Sequence, residues 1–304
     1  WEGYRNSVLK DSVAWGLSGV SAAFQHCDDT ISIKANYKTH TQKPYTFHKF
    51  RVFYNTWKDD YNLNILDSTL VAFDTINYEK MYREFRFTRN VKELELAINI
   101  KDTATIGPEF LMMGMEFMND NPGIEYTSIG VNGASFDSYK RSAYFENQLG
   151  LYKPDLFIIS IGTNDAYMPK ADFKPEEFRA NYEAFIQMIQ RVNPQCAILL
   201  TVPNDDYYRR RYANKNTAVQ AEIILELAQK YQMATWNFYE IMGGLGSSHK
   251  WYKKKLMPRD RIHFTPLGYS IKADLFMDAF IDAWSTLTAR NKVDLEMHFK
   301  TLNE

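Results

Sequence analysis

Ile158-Ile159-Ser160-Ile161-Gly162-Thr163-Asn164-Asp165 runs from an apolar segment into a turn of small and polar residues. Residues 156–162 are short and nearly all apolar, without alternation. That is the pattern of a strand covered on both faces, as in a parallel sheet between helices. Such sheets bind ligands beyond the carboxyl ends of their strands, so Gly162 to Asp165 is predicted to lie on a ligand-binding edge. Outward from this segment, residues 126–130, 196–202 and 234–242 read as three further short buried strands. Helical spacing fills the gaps, with Phe178, Tyr182, Phe185 and Ile189 on one face and Val219, Ile223, Leu227 and Tyr231 on the next. A last helix is predicted over 266–290, with Thr265 as N-cap, Pro266 at its first position and Leu267, Ile271 and Leu275 turned inward. Strands alternating with helices imply right-handed crossovers and an α/β fold over residues 104–304.

Residues 1–103 have a different period. Ile31, Ile33, Ala35 and Tyr37 alternate with Ser32, Lys34 and Asn36, and Leu94, Leu96, Ile98 and Ile100 with Glu93, Glu95, Ala97 and Asn99. A period of two marks half-buried strands. Phe50-Val52-Tyr54, Tyr61-Leu63-Ile65 and Phe85-Phe87 are shorter candidates, separated by turn formers such as Asp59-Asp60 and Asn77, and Val13-Ala14-Trp15 reads as one more. Short strands without a convincing helix predict an antiparallel β-sandwich.

At 304 residues, 45% hydrophobic and 24% charged, the chain has the composition of an ordinary globular protein of about two domains, which excludes fibrous and low-complexity classes. No apolar run approaches the ~18 residues of a membrane helix. A net charge of -1 gives no overall electrostatic case for nucleic acid, anionic lipid or a polyanionic substrate. Cys27 and Cys196 lack metal-ligand spacing and make no disulfide framework. The chain opens at Trp1 without an initiator Met, so it reads as a fragment whose start, with any export signal, lies upstream.

Asp260-Arg261-Ile262-His263, just ahead of the last helix, is the segment with the clearest chemistry. A carboxylate three residues before a histidine can accept the Nδ1 proton and orient the ring, leaving Nε2 to take a proton from a nucleophile. Asn164 can aim an amide N–H at a developing oxyanion. In Ile129-Gly130-Val131-Asn132-Gly133-Ala134-Ser135, Gly133 lets a backbone N–H approach a substrate, with Gly130 as the alternative.

Together and in this order, the glycine block, the Gly-x-Asn-Asp block at 162–165 and the Asp-x-x-His block at 260–263 resemble those of the SGNH (GDSL-type) hydrolase superfamily. The resemblance implies a flavodoxin-like parallel sheet flanked by helices, with His263 as catalytic base, Asp260 as its partner, and Gly133 and Asn164 as oxyanion-hole donors. It also implies a nucleophilic serine in a Gly-Asp-Ser block on the first strand of that sheet. Residues 1–304 hold no such block, so that strand is expected upstream of Trp1. Segments 1–6, 16–21, 129–134 and 242–247 resemble the peptidoglycan O-acetylesterase branch, in which a carbohydrate-binding-like β-sandwich is inserted between the serine and glycine blocks. Residues 1–103 would be that insert and 104–304 the hydrolase domain. The implied activity is removal of O-acetyl groups from a polysaccharide such as peptidoglycan, with no metal or cofactor, no nucleic-acid partner and no membrane span, in a periplasmic or extracellular setting. A polysaccharide O-acetyltransferase and a noncatalytic carbohydrate-binding protein are the alternatives.

Other features have plainer readings. His26, His40, His48, His249 and His298 read as structural, as does Ser12 in Lys10-Asp11-Ser12, which no buried strand precedes. Tyr207-Tyr208-Arg209-Arg210-Arg211-Tyr212 and Lys253-Lys254-Lys255 read as solvated loops, and Trp236 and Trp251 as core.

Overall fold

The computed structural model describes residues 1–25, 28–35, 45–104 and 107–288. Asn36, Tyr37, His26, Cys27, His40, His298 and the end of the last predicted helix lie outside the described residues. The chain forms two compact units, one of residues 1–134 and 138–152, the other of 135–137 and 153 onward.

The first unit is an antiparallel sandwich. Strands β1 (Glu2–Arg5), β2 (Val20–Gln25), β3 (Asp29–Lys34), β4 (Phe47–Tyr54), β5 (Tyr61–Ile65), β6 (Val71–Asn77), β7 (Tyr82–Val91), β8 (Glu93–Ile100) and β9 (Glu109–Met118) form two sheets. One runs β1-β2-β9-β4-β7-β6 and the other β3-β8-β5. Inward side chains of both make a single core in which Phe47, Phe50, Phe85 and Phe110 of the larger sheet meet Leu63, Leu96 and Ile98 of the smaller. The predicted alternation at 93–100 appears directly in β8, where Leu94, Leu96 and Ile98 are buried and Glu93 and Glu95 exposed.

Two sequence expectations fail here. Strand β9 lies beyond the boundary predicted at residue 103, yet it sits between β2 and β4, pairing Phe110 with Phe24 and Phe117 with Phe50. Its run of Phe, Leu and Met has no clean alternation, which is why period-two reading passes over it. Val13 to Trp15 is not a strand; Trp15 is buried with the Arg141 guanidinium carbon 4.8 Å from its ring centroid.

Two short helices, α1 (Phe136–Lys140) and α2 (Phe145–Leu149), lead into the second unit. Its parallel sheet runs in the order β10 (Leu156–Ile159), β11 (Ala197–Val202), β14 (Ala234–Asn237). Around it lie α3 (Thr163–Ala166), α4 (Pro175–Val192), α5 (Asn216–Tyr231), α6 (Phe238–Met242), α7 (Ser247–Lys253) and α8 (Pro266–Thr288), while β12 (Tyr207–Tyr208) and β13 (Tyr212–Ala213) make a small hairpin. The predicted face of α4 is the packed one: Tyr182 is fully buried, with the Phe136 ring 4.9 Å from its own.

Three of the four predicted strands of this sheet are present among the described residues. Residues 126–130 are exposed but for half-buried Ile129 and pair with no strand there, so they form no buried strand. The last strand stops at Asn237, whose side chain accepts from the Glu240 N–H at 3.2 Å and starts α6. The face of α8 also differs from expectation. Leu267 is 61% exposed, whereas Gly268, Lys272 and Phe276 face the core beside Leu256, Phe238 and Trp236. Apolar residues surround α8 nearly all the way round, so periodicity cannot choose its face. Close packing does: a Cβ on Gly268 would lie 2.0 Å from the Leu256 carbonyl oxygen.

Phe50 has no exposed surface and stacks on Phe117 with centroids 5.1 Å apart. Phe50→Ala should therefore cost about 3–5 kcal/mol of first-unit stability, read from its urea unfolding transition. A loss below about 1 kcal/mol would mean the core collapses around the gap.

Candidate active site

Asn164 stands in the first turn of α3, directly after β10, at the carboxyl edge of the parallel sheet. The chain turns there at Gly162, whose φ of +131° is closed to other residues, and a Cβ at that position would lie 3.0 Å from Pro203 Cγ at the end of β11. A four-residue helix has little stability of its own. It is held by side chains from the start of α5. Gln220 donates to the Gly162 carbonyl at 2.8 Å, Asn214 and Asn216 each donate to the Ala166 carbonyl at 3.0 Å, and Asn216 also donates to the Met168 carbonyl at 2.9 Å. All three amides are buried. Asp165 completes the turn by accepting from the Phe136 N–H at 3.1 Å.

The Asp260–His263 loop reaches the same sheet edge. Asn204, two residues past β11, donates to the Ile262 carbonyl at 3.2 Å. Asp260 Oδ1 accepts from the Ile262 and His263 N–H groups at 2.9 and 3.1 Å, and Asp260 Oδ2 meets His263 Nδ1 at 3.0 Å. Partial burial opposes ionisation of Asp260, but those two N–H bonds and the imidazole outweigh it and hold the carboxyl below its ordinary range. With Nδ1 engaged by a carboxylate, Nε2 is the nitrogen left to accept a proton, and the ring is mostly exposed. Between the pair, Arg261 is left-handed at φ +56°, and its guanidinium carbon lies 3.9 Å from the centroid of the Tyr207 ring.

Two buried acids missed by sequence reading lie behind this edge. Asp205 accepts from both the N–H and the hydroxyl of Ser248 at the start of α7, at 2.9 and 2.6 Å. Asp206 accepts from Asn214 at 3.1 Å and from Thr217 at 3.1 Å. Burial raises the pKa of both, and that of Asp206 reaches about 7 despite hydrogen bonds that favour its charged form. The signal was present as Asn204-Asp205-Asp206 directly after the apolar run Ile198-Leu199-Leu200-Thr201-Val202-Pro203, a polar cluster where a parallel strand ends.

Gly133 belongs to the first unit, at φ +79°, with the Asn132 carbonyl accepting from Ser7 Oγ at 2.8 Å. Gly130 has no positive φ, so Gly133 is the glycine whose backbone needs the missing side chain. The hairpin at 207–213 replaces the loop expected there, while Lys253 to Lys255 are exposed as expected. Trp236 is buried, 4.9 Å from the Phe238 ring, in agreement with a core role.

Residues 114–271 match the model of the GDSL-like Lipase/Acylhydrolase family. The chain belongs to that family. As a GDSL-type acylhydrolase it combines the α/β unit of the family with an antiparallel β-rich unit, and among solved structures a peptidoglycan O-acetylesterase has the same fold. That likeness has a TM-score of 0.72 at 18% identity, covering 93% of this chain and 75% of that one. An acetyl xylan esterase, at TM-score 0.39 and 21% identity, shares 49% of this chain and 78% of its own. A lipase/acylhydrolase from Enterococcus faecalis, at TM-score 0.38 and 21% identity, shares 48% and 70%. No curated protein matches the chain by sequence. Among the described residues no helix is long and apolar enough to cross a membrane.

Because the folded Asp206 carboxyl titrates near 7, above the ordinary carboxylate range, the native state holds a proton that the unfolded chain releases. Its contribution to stability should be full below about pH 4 and be lost as pH rises to about 7, a fall on the order of 4 kcal/mol. Urea unfolding across that range should show the fall, and Asp206→Asn should remove much of it. An unchanged slope in the variant would assign the pH dependence elsewhere.

Proposed function

We propose that this acylhydrolase is a serine esterase that removes O-acetyl groups from a polysaccharide outside the cytoplasm, peptidoglycan being the first substrate to test. The carrying observation is the Asp260–His263 pair, 3.0 Å apart, on the same sheet edge as Asn164. In this reading the nucleophile is a serine in a Gly-Asp-Ser block ahead of residue 1. Support for a further strand comes from β10, which pairs only with β11 among the described residues and so leaves a row of backbone N–H and C=O groups along its other edge.

In this reading each residue has one task. His263 Nε2 takes the serine proton as the hydroxyl oxygen attacks the acetyl carbonyl, and Asp260 stabilises the imidazolium. The carbonyl oxygen becomes an oxyanion that the Asn164 amide and the Gly133 N–H receive. Collapse of the tetrahedral intermediate breaks the ester bond, and His263 returns the proton to the departing sugar oxygen. Water, deprotonated by His263, then attacks the acetyl-serine and releases acetate. The sandwich, in this reading, holds the polymer.

For protein carrying the serine block, Asn164→Ala should lower kcat about a hundredfold with little change in KM, since an oxyanion donor acts in the transition state. His263→Ala should cost at least about a thousandfold. The readout is acetate released from O-acetylated peptidoglycan and from acetylxylan. Absence of acetate from either, or full activity of His263→Ala, would end this reading.

A further inference from the structure

The net charge of -1 conceals a local imbalance. Residues 204–215 and 249–263, the two segments that meet at the Asp260–His263 pair, contain ten lysines and arginines against three acids. All three acids are committed internally: Asp205 to Ser248, Asp206 to Asn214 and Thr217, and Asp260 to His263. None of the ten bases forms an ion pair among the described residues. Arg209, Arg210, Arg211, Lys253, Lys254 and Arg259 are exposed. The two segments are joined side to side, because the Arg261 guanidinium donates to the Arg210 carbonyl and lies over Tyr207. A uniformly positive rim thus lies within a few residues of the exposed histidine.

The backbone provides a second, independent argument. Arg209, Arg210, Lys255 and Arg261 have φ of 50°, 59°, 60° and 56°, four of the seven non-glycine residues with left-handed φ among the described residues. Glycine or asparagine would fit those turns with less strain. Basic side chains persist there against the preference of the turn, and strain of this kind clusters at sites of function. Aromatic rings also pre-arrange them: the Arg209 guanidinium carbon lies 5.3 Å from the Tyr208 ring centroid, as Arg261 lies over Tyr207.

We propose that these two basic loops bind the anionic groups of the glycan, so that the ester substrate is an acidic polysaccharide bearing carboxylate or phosphate. This rests on the esterase reading for the word substrate, but binding itself does not. A guanidinium recognises either anion by paired N–H donors, and a row of them next to His263 would hold a charged backbone while an acetylated hydroxyl enters.

Equilibrium binding of the intact protein to polygalacturonate, poly(glycerol phosphate) and neutral xylan, at low and high salt, separates the cases. The two polyanions distinguish carboxylate from phosphate. At least one should bind more tightly than xylan, with affinity that falls as salt rises. Arg209→Asn with Arg210→Asn should leave the thermal midpoint equal or higher, since asparagine suits both turns, and lower polyanion affinity at least about tenfold. Lys253→Gln with Lys254→Gln, on the other loop, gives the same reading if the first pair disturbs the hairpin. Equal binding of xylan and both polyanions, or unchanged affinity in both variants, overturns the proposal. So does a single-stranded oligonucleotide that outcompetes both glycans. Polyanion binding without acetate release from any acetylated glycan would sink the esterase reading while leaving this site in place.

Discussion

The buried Gly162 carbonyl, where the chain leaves β10, accepts from both the Ala166 N–H at 3.0 Å and the Gln220 side chain at 2.8 Å. An unpaired buried carbonyl costs about 1–3 kcal/mol. The same physical demand recurs one turn later, where the Ala166 carbonyl takes the Asn214 and Asn216 amides and the Met168 carbonyl shares that of Asn216. The position of Asn164 is therefore inherited from α5 and the residues just ahead of it, which fix α3 through Asn214, Asn216 and Gln220. Asn214 also serves Asp206, so the clamp on α3 and the seat of the buried acids share a side chain. The polar residues at the sheet edge are linked through shared side chains, and the position of Asn164 depends on those links.

What the sequence made legible was whatever pattern or local chemistry determines. Asp260 and His263 are three residues apart, so contact between them needed only a turn. The helix start at Pro266 was written in its cap, and Gly162 to Asp165 lay where a buried apolar run ended. What stayed hidden was decided by tertiary packing. Nothing in the spacing of α8 chooses Gly268 over Leu267, because only the approach of the Leu256 carbonyl does so. Strand β9 owes its place to pairing with β2 and β4, which are distant in sequence, and its methionine-rich pattern carries little period. Gln220 looked like any polar residue on a helix until the Gly162 carbonyl was seen facing it.

The costs in the second unit are concentrated on one side. Gly162 and Arg261 are left-handed, two carboxyls are buried with raised pKa, and all of these lie at the carboxyl edge of the sheet. Left-handed Lys153 and Gln232, in the turns that lead into β10 and β14, are exceptions at the other edge. Local rules are broken most often where a site must be held in a geometry that the backbone alone would not choose.

The Asp260–His263 pair shows how such a site works without burial. An exposed ion pair contributes little by itself, on the order of 0–1 kcal/mol, so mutual attraction would not keep the imidazole in one orientation. The loop does this instead. Oδ1 of Asp260 is held by two backbone N–H groups, the Ile262 carbonyl by Asn204, and the Arg261 side chain by Tyr207 and the Arg210 carbonyl. With Arg261 and Ile262 pinned to the segment after β11, the carboxylate presents Oδ2 to Nδ1 at a set place. The ring can then remain open to solvent on its other side. In the esterase proposed above, a base that must meet an ester on a polymer too large to enter a cavity would gain from that arrangement, because orientation comes from the loop and access from exposure.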